Sequence, residues 1–170
     1  MRHTTILTAA ALMLTLACGS TAGTTRTASA AVAPGETVAA VDTLYTTTSL
    51  KEAKRYAKQH DARILMVFAG SDWCRPCKQF KAGVLDDASF RESVKEDIVV
   101  LYLDFPSKRR NQLPPKQKAA NEALAEQYNP QGIFPRIVLI DAAEHVLGEL
   151  KYTGEEAAAF ETQLSSLLDG

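Results

Sequence analysis

The sequence predicts an α/β protein with a central mixed β-sheet and helices on both faces. Three observations predict it. Residues 64–68 (Ile-Leu-Met-Val-Phe) and 98–103 (Ile-Val-Val-Leu-Tyr-Leu) are short, nearly unbroken apolar runs, as expected of strands buried on both sides. Stretches of helical periodicity separate and follow them. Residues 136–140 and 145–151 are two further strand-like runs joined by Asp141, Ala142, Ala143 and Glu144, which reads as a hairpin. Strand–helix–strand crossovers give parallel neighbours and a hairpin gives antiparallel ones, so the sheet is mixed.

Taken in order, the chain starts with a short positive segment, Met1, Arg2 and His3, and continues with residues 4–17, uncharged and apolar apart from threonines. Cys18, Gly19 and Ser20 follow. This is the order of a secretory signal peptide, and we read residues 1–17 as one of lipoprotein type. Residues 14–18 (Leu-Thr-Leu-Ala-Cys) resemble a bacterial lipobox, with cleavage before Cys18 and lipid on that cysteine. Thr15 departs from the leucine usual at its place. The small-residue patterns at 28–30 and 31–33 would serve ordinary cleavage instead. Residues 18–41 are rich in Ala, Thr, Ser and Gly without apolar periodicity, which predicts a flexible tether. Residues 42–170 are then the folded domain.

Within it, residues 42–48 alternate weakly and read as an edge strand. Ser49 and Glu52 form a capping box that opens a helix to about Gln59, with Leu50, Ala53, Tyr56 and Ala57 inward. A helix from Pro76 to about Val84 follows the first central strand. A shorter one over 87–95 turns Phe90 and Val94 inward. After the second central strand, residues 105–115 form a loop carrying Lys108, Arg109 and Arg110, read either as a solvated loop or as a basic rim for acidic partners or phospholipid. Residues 116–128 form a helix with Ala120, Leu124 and Tyr128 on its inner face. The last helix, 155–168, buries Phe160, Leu164, Leu167 and Leu168.

Hydrophobic residues make up 46% and charged residues 23%, an ordinary globular balance, and the net charge of −1 argues against nucleic acid as a partner. Of the three cysteines, lipid on Cys18 would leave Cys74 and Cys77 as a pair. This pair lies in Ser71-Asp72-Trp73-Cys74-Arg75-Pro76-Cys77-Lys78, between a strand and a helix. A helix N-terminus favours a thiolate, the nucleophile of disulfide exchange. Pro76 suits an early helical position. Two other readings stand beside this one. Zinc would need about four ligands, and His3, His60 and His145 are scattered. A purely structural disulfide would close so small a loop that it constrains the unfolded chain little.

The Trp-Cys-x-Pro-Cys-Lys run at a strand–helix junction, followed by Ile133-Phe134-Pro135 before a strand, hairpin and terminal helix, resembles the thioredoxin fold. The resemblance extends from about residue 44 to 168. Its wording at 70–74 and 128–135 is most similar to exported thioredoxin-like proteins of bacterial envelopes. The resemblance implies a protein thiol–disulfide oxidoreductase acting as a reductase. It implies an exposed Cys74 as nucleophile and a shielded Cys77 as resolving cysteine. It implies a cis Pro135 and a substrate groove formed by Trp73, Arg75, Pro76, Phe134 and Pro135. It further implies protein disulfide substrates, a membrane electron donor, a monomer in the periplasm held to a membrane through Cys18, and neither cofactor nor metal. One feature departs from thioredoxins proper: the strand before the cysteines offers Met66, Val67 and Phe68 where a buried acid is usual. Arg75 would stabilise a thiolate and make the pair more oxidising. Two rival functions share the fold. One is copper binding by both thiolates with Met66 or His145; the other is a non-catalytic binding module in which the pair is a fixed staple.

Overall fold

The computed structural model describes residues 43–170. The signal peptide expected at 1–17, the lipid site Cys18 and the tether expected at 18–41 lie outside the described residues.

The chain order is β1 (Thr46–Thr47), α1 (Leu50–His60), β2 (Arg63–Ala69), α2 (Arg75–Phe80), α3 (Ala88–Val94), β3 (Ile98–Asp104), α4 (Pro115–Tyr128), β4 (Arg136–Ile140), β5 (Val146–Leu150) and α5 (Ala157–Leu168). The five strands lie in the order β1-β3-β2-β4-β5. β1, β3 and β2 run parallel, while β4 pairs antiparallel with β2 and β5 antiparallel with β4. The mixed sheet and its central pair, β2 and β3, are those the apolar runs predict.

The alternation of side chains along a strand divides the core in two. Leu65, Val67 and Ala69 of β2 face one side, against Phe80 and Val84 after the cysteines, Phe90 and Val94 of α3, and Phe160 and Leu164 of α5. Ile64, Met66 and Phe68 face the other, against Ala53, Tyr56 and Ala57 of α1 and Tyr128 of α4. Residues on both faces of β2 are buried, which is why the run has no polar alternation.

Several boundaries and faces differ from expectation. The first strand is reduced to Thr46 and Thr47, because only these two pair with β3. The helix after the cysteines is not continuous: α2 ends at Phe80 and a wider π turn, Lys81–Leu85, completes it. In α4, Ala120 is exposed and Asn121 is buried, so the inner face is rotated by one residue from the apolar pattern. The reason is a hydrogen bond: the Asn121 amide donates to the Asp104 carbonyl at the end of β3, 2.9 Å away. Leu167 and Leu168 of α5 are only partly buried, at the margin of the core rather than inside it.

Candidate redox site

The site is built where β2 hands over to α2. β2 ends at Ala69, and the next residues turn back so that the Cys74 N–H donates to the Gly70 carbonyl at 2.9 Å. Cys74 then caps α2 with extended backbone, and its sulfur accepts from the Cys77 N–H at 3.2 Å. This bond satisfies one of the donors that a helix start leaves unpaired. Pro76 occupies the first turn, where its missing N–H is not needed. Cys74 and Cys77 form a disulfide with an S–S length of 2.02 Å and Cα atoms 5.3 Å apart.

Both sulfurs belong to the apolar cluster on the α2 face of the sheet. Cys74 is 4% exposed and Cys77 1%. This corrects the expectation of an open Cys74: in the disulfide form its side chain turns back over the helix start toward Cys77, and the contrast between the two cysteines survives only in order. Arg75 and Pro76, the residues between them, are exposed, as is Lys78.

Trp73 stands beside the pair, 47% exposed. Its indole lies across Gly70 so closely that a Cβ at residue 70 would sit 2.3 Å from Trp73 Cε2, so glycine is required there. The indole N–H donates to the Phe105 carbonyl at 2.8 Å. The Trp73 ring meets Phe134 edge to face at 5.2 Å, and Phe134 meets Phe105 at 5.5 Å. The Phe134–Pro135 peptide is cis, as the resemblance implies. Because Phe68 pairs with Arg136, the antiparallel register sets Pro135 level with Ala69, at the end of β2 from which the cysteine turn departs. Thus Trp73, Cys74 and Cys77 come together with Phe134 and Pro135 from two separate parts of the chain, and Phe105 joins them from a third.

Residues that sequence patterning did not single out hold this arrangement. Asn129, 4% exposed, donates from its amide to the Ile133 carbonyl and accepts from the Ile133 N–H, at 2.8 and 2.9 Å. With Gly132 at φ 63°, in the left-handed region, it shapes the approach to the cis peptide. On the other side, Asp104 at the end of β3 accepts from the Ser71 N–H and hydroxyl at 2.8 and 2.7 Å.

Asp72 ties the redox turn to the loop after β3. Its carboxylate accepts from the N–H groups of Ser107 and Lys108 and from the Asn111 amide, each at 2.9 Å, and from the Ser107 hydroxyl at 3.3 Å. Partial desolvation opposes its charge, but these hydrogen bonds outweigh it and lower its pKa from 3.8 to about 2. An Asp flanked by turn residues is a common N-cap or Asx-turn signal, and nothing in the local pattern points to a partner more than thirty residues away.

The acid missing from β2 is not replaced from elsewhere: among the described residues, the buried polar side chains are those of Thr47, Asn121 and Asn129. Tyr102, on the β3 position paired with Val67, packs against the cysteine-bearing cluster. Burial, with Asp104 and Asp86 adding to it, raises its pKa to about 12, so it stays neutral. The candidate extra copper ligands are not near the pair. Met66 is fully buried on the opposite face of the sheet. His145 lies exposed in the β4–β5 turn with its Nδ1 2.8 Å from the Asp141 carboxylate. His60 stacks on Tyr56 at the end of α1.

With this geometry in place, the comparisons with known proteins decide the family. The family model described as "Thioredoxin-like" matches residues 45–142, more than half of the chain. The chain belongs to the thioredoxin-like family. Its fold is similar to that of a DsbH oxidoreductase, at 28% identity and a TM-score of 0.67 over 81% of this chain and 92% of that one. It is also similar to a thioredoxin from Thermus thermophilus, at 20% identity and a TM-score of 0.53 over 73% of this chain and 86% of that one, which speaks for the fold. A curated relative, the thiol:disulfide interchange protein DsbD of Haemophilus ducreyi, is 26% identical over 107 residues; these are 63% of this chain and 17% of the relative, so the chain spans a small part of that protein's length. A thioredoxin-like protein with a Cys74–Cys77 disulfide at the strand–helix junction is a thiol–disulfide oxidoreductase.

Proposed function

We propose that this thioredoxin-like protein reduces protein disulfides in a bacterial envelope, with Cys74 as the attacking and Cys77 as the resolving cysteine. The observation that carries the reading is the disulfide between Cys74 and Cys77, with the Cys74 sulfur as cap of α2. The Cys77 N–H and the helix start stabilise a thiolate on Cys74 once the bond is open. By the resemblance, Cys74 is the sulfur that attacks.

The Cys74 thiolate, its proton already released to water, attacks one sulfur of a substrate disulfide, and the other substrate sulfur leaves as a thiolate and takes up a proton from water. The Cys77 thiol gives its proton to water and attacks Cys74, and the second substrate sulfur leaves and is protonated. The substrate gains two electrons and two protons, and the protein ends in its disulfide form. A membrane protein dithiol would restore the reduced pair. The groove for the substrate would run along Trp73, Arg75, Pro76, Phe134 and the cis Pro135, where an extended segment can pair with exposed backbone.

The reductive direction follows the resemblance to exported thioredoxin-like proteins. The charges around the turn are mixed, with Asp72 and Asp104 disfavouring a thiolate and Arg75 and the cations at 108–110 favouring one. The N-terminal pattern supports export and attachment through lipid on Cys18, with 18–41 as tether and 42–170 as the working domain, which we read as a monomer. Loss of membrane fractionation in Cys18→Ala tests the anchor.

The central test is Cys77→Ser. It is expected to accumulate reductant-sensitive adducts with envelope proteins through Cys74, and the unaltered protein is expected to exchange with a model disulfide. If neither occurs, the reading is wrong. Thiol alkylation in cells reads the direction: a pair found mainly oxidised at steady state overturns the reductase role.

A further inference from the structure

The loop beside the redox turn carries charge that disulfide exchange does not use. Lys108, Arg109 and Arg110 are consecutive and exposed, and their side chains have no ion pair among the described residues. From Phe105 to Asn121 the chain has five Lys and Arg residues and no Asp or Glu, in a protein whose net charge is −1. The positive charge is therefore local, not a property of the whole surface.

A run of cations on a loop is usually free to move. This one is held. The Asp72 carboxylate takes both the Ser107 and Lys108 N–H groups and the Asn111 amide. The Gln112 amide donates to the Pro106 carbonyl at 2.9 Å. Trp73 reaches Phe105 through its indole N–H. Asp72 and Trp73 immediately precede Cys74, so the backbone that carries the cations is tied to the same short segment as the reactive sulfur.

We propose that this loop is the docking contact for an acidic segment of the protein whose disulfide is exchanged, its carboxylates lying next to the substrate cysteine in sequence. This deepens the exchange reading and rests on it. An acidic segment complements the local charge, and the Asp72 tie sets it beside Cys74. A contact with anionic lipid would need the cations but not their tie to the redox turn.

The test uses the purified, reduced full chain and two disulfide-bridged peptides that differ only in having Asp and Glu or Ser and Gln as flanks. At low salt the acidic peptide is expected to react at least about tenfold faster. That advantage should collapse in high salt, as screening shortens the reach of exposed charges. The triple variant K108E/R109E/R110E should abolish the preference while keeping the rate on uncharged hydroxyethyl disulfide. Asp72→Ala, which retains all three cations but frees the loop, should reduce the preference by about threefold or more. Equal rates on the two peptides, or a preference unchanged in the triple variant, overturn the proposal. So does a triple variant that loses binding to phosphatidylglycerol vesicles without a change in peptide rates, since that assigns the loop to lipid. Failure of the unaltered chain to exchange with hydroxyethyl disulfide would instead sink the exchange reading itself, and the docking role with it.

Discussion

The Asp72 carboxylate gathers four hydrogen bonds from a loop more than thirty residues away, and its acidity reports on them. Its pKa in the folded protein, about 2, lies below that of an unfolded chain, about 3.9. As pH falls, the unfolded chain binds the proton first. The clamp therefore stabilises the fold fully above about pH 4, and its contribution is lost as pH drops through the range down to about 2. Asp141, lowered by its hydrogen bonds from His145, acts in the same direction. Trp73 is the one tryptophan and is tied to the clamped loop through Phe105, so its fluorescence is the readout. We expect a change in emission between about pH 4 and about pH 2 that Asp72→Asn removes. A variant that keeps the whole acid transition would show that another group causes it.

At the scale of elements, α4 shows how a polar contact can override an apolar pattern. Asn121 anchors the helix to the end of β3, accepting from Gln117 at 2.8 Å while donating to the Asp104 carbonyl. Asp104 in turn holds Ser71, so the helix supports the strand end that borders the redox turn. Replacing Asn121 by Ala leaves a buried carbonyl without its donor and is expected to cost about 1–3 kcal/mol in urea unfolding. Ala120→Ser, one position away on the exposed side, should stay within about 0.5 kcal/mol. Equal effects at the two positions would mean that the helix faces the sheet as the apolar pattern first suggests.

Across the whole molecule, the redox helix depends on a helix from the far end of the chain. Phe160 of α5, fully buried, meets Phe80 at 4.9 Å and Phe90 at 6.0 Å. Phe80 closes α2, three residues after Cys77. Phe160 lies outside residues 45–142, so the contact ties the matched part of the domain to a closing helix that the family match does not reach. Phe160→Ala is expected to destabilise by about 3–5 kcal/mol and to lower the denaturation midpoint of oxidised and reduced protein alike. A loss below about 1 kcal/mol would show that α5 packs loosely and that α2 stands without it.

Much of the fold was legible because its signals are local. The apolar runs of β2 and β3 announce strands buried on both faces, and the hairpin and the Ser49 N-cap depend on neighbours in sequence. The other half of the expected capping box does not form: the Ser49 N–H donates to the Thr47 hydroxyl oxygen, and the Glu52 carboxylate accepts from that hydroxyl. The cysteine pair and its strand–helix setting were legible for the same reason, and the thioredoxin resemblance rests on these contiguous motifs. What the sequence could not show depends on long-range pairing. Asp72 meets Ser107 only after β2 and β3 lie side by side, Asn121 meets Asp104 only after α4 packs against the end of β3, and Cys74 is covered by the cluster that α3 and α5 complete on the other face. Periodicity describes which face of an element is apolar, whereas a hydrogen bond to a distant carbonyl or a sulfur turned inward is decided by what the folded chain brings against that face.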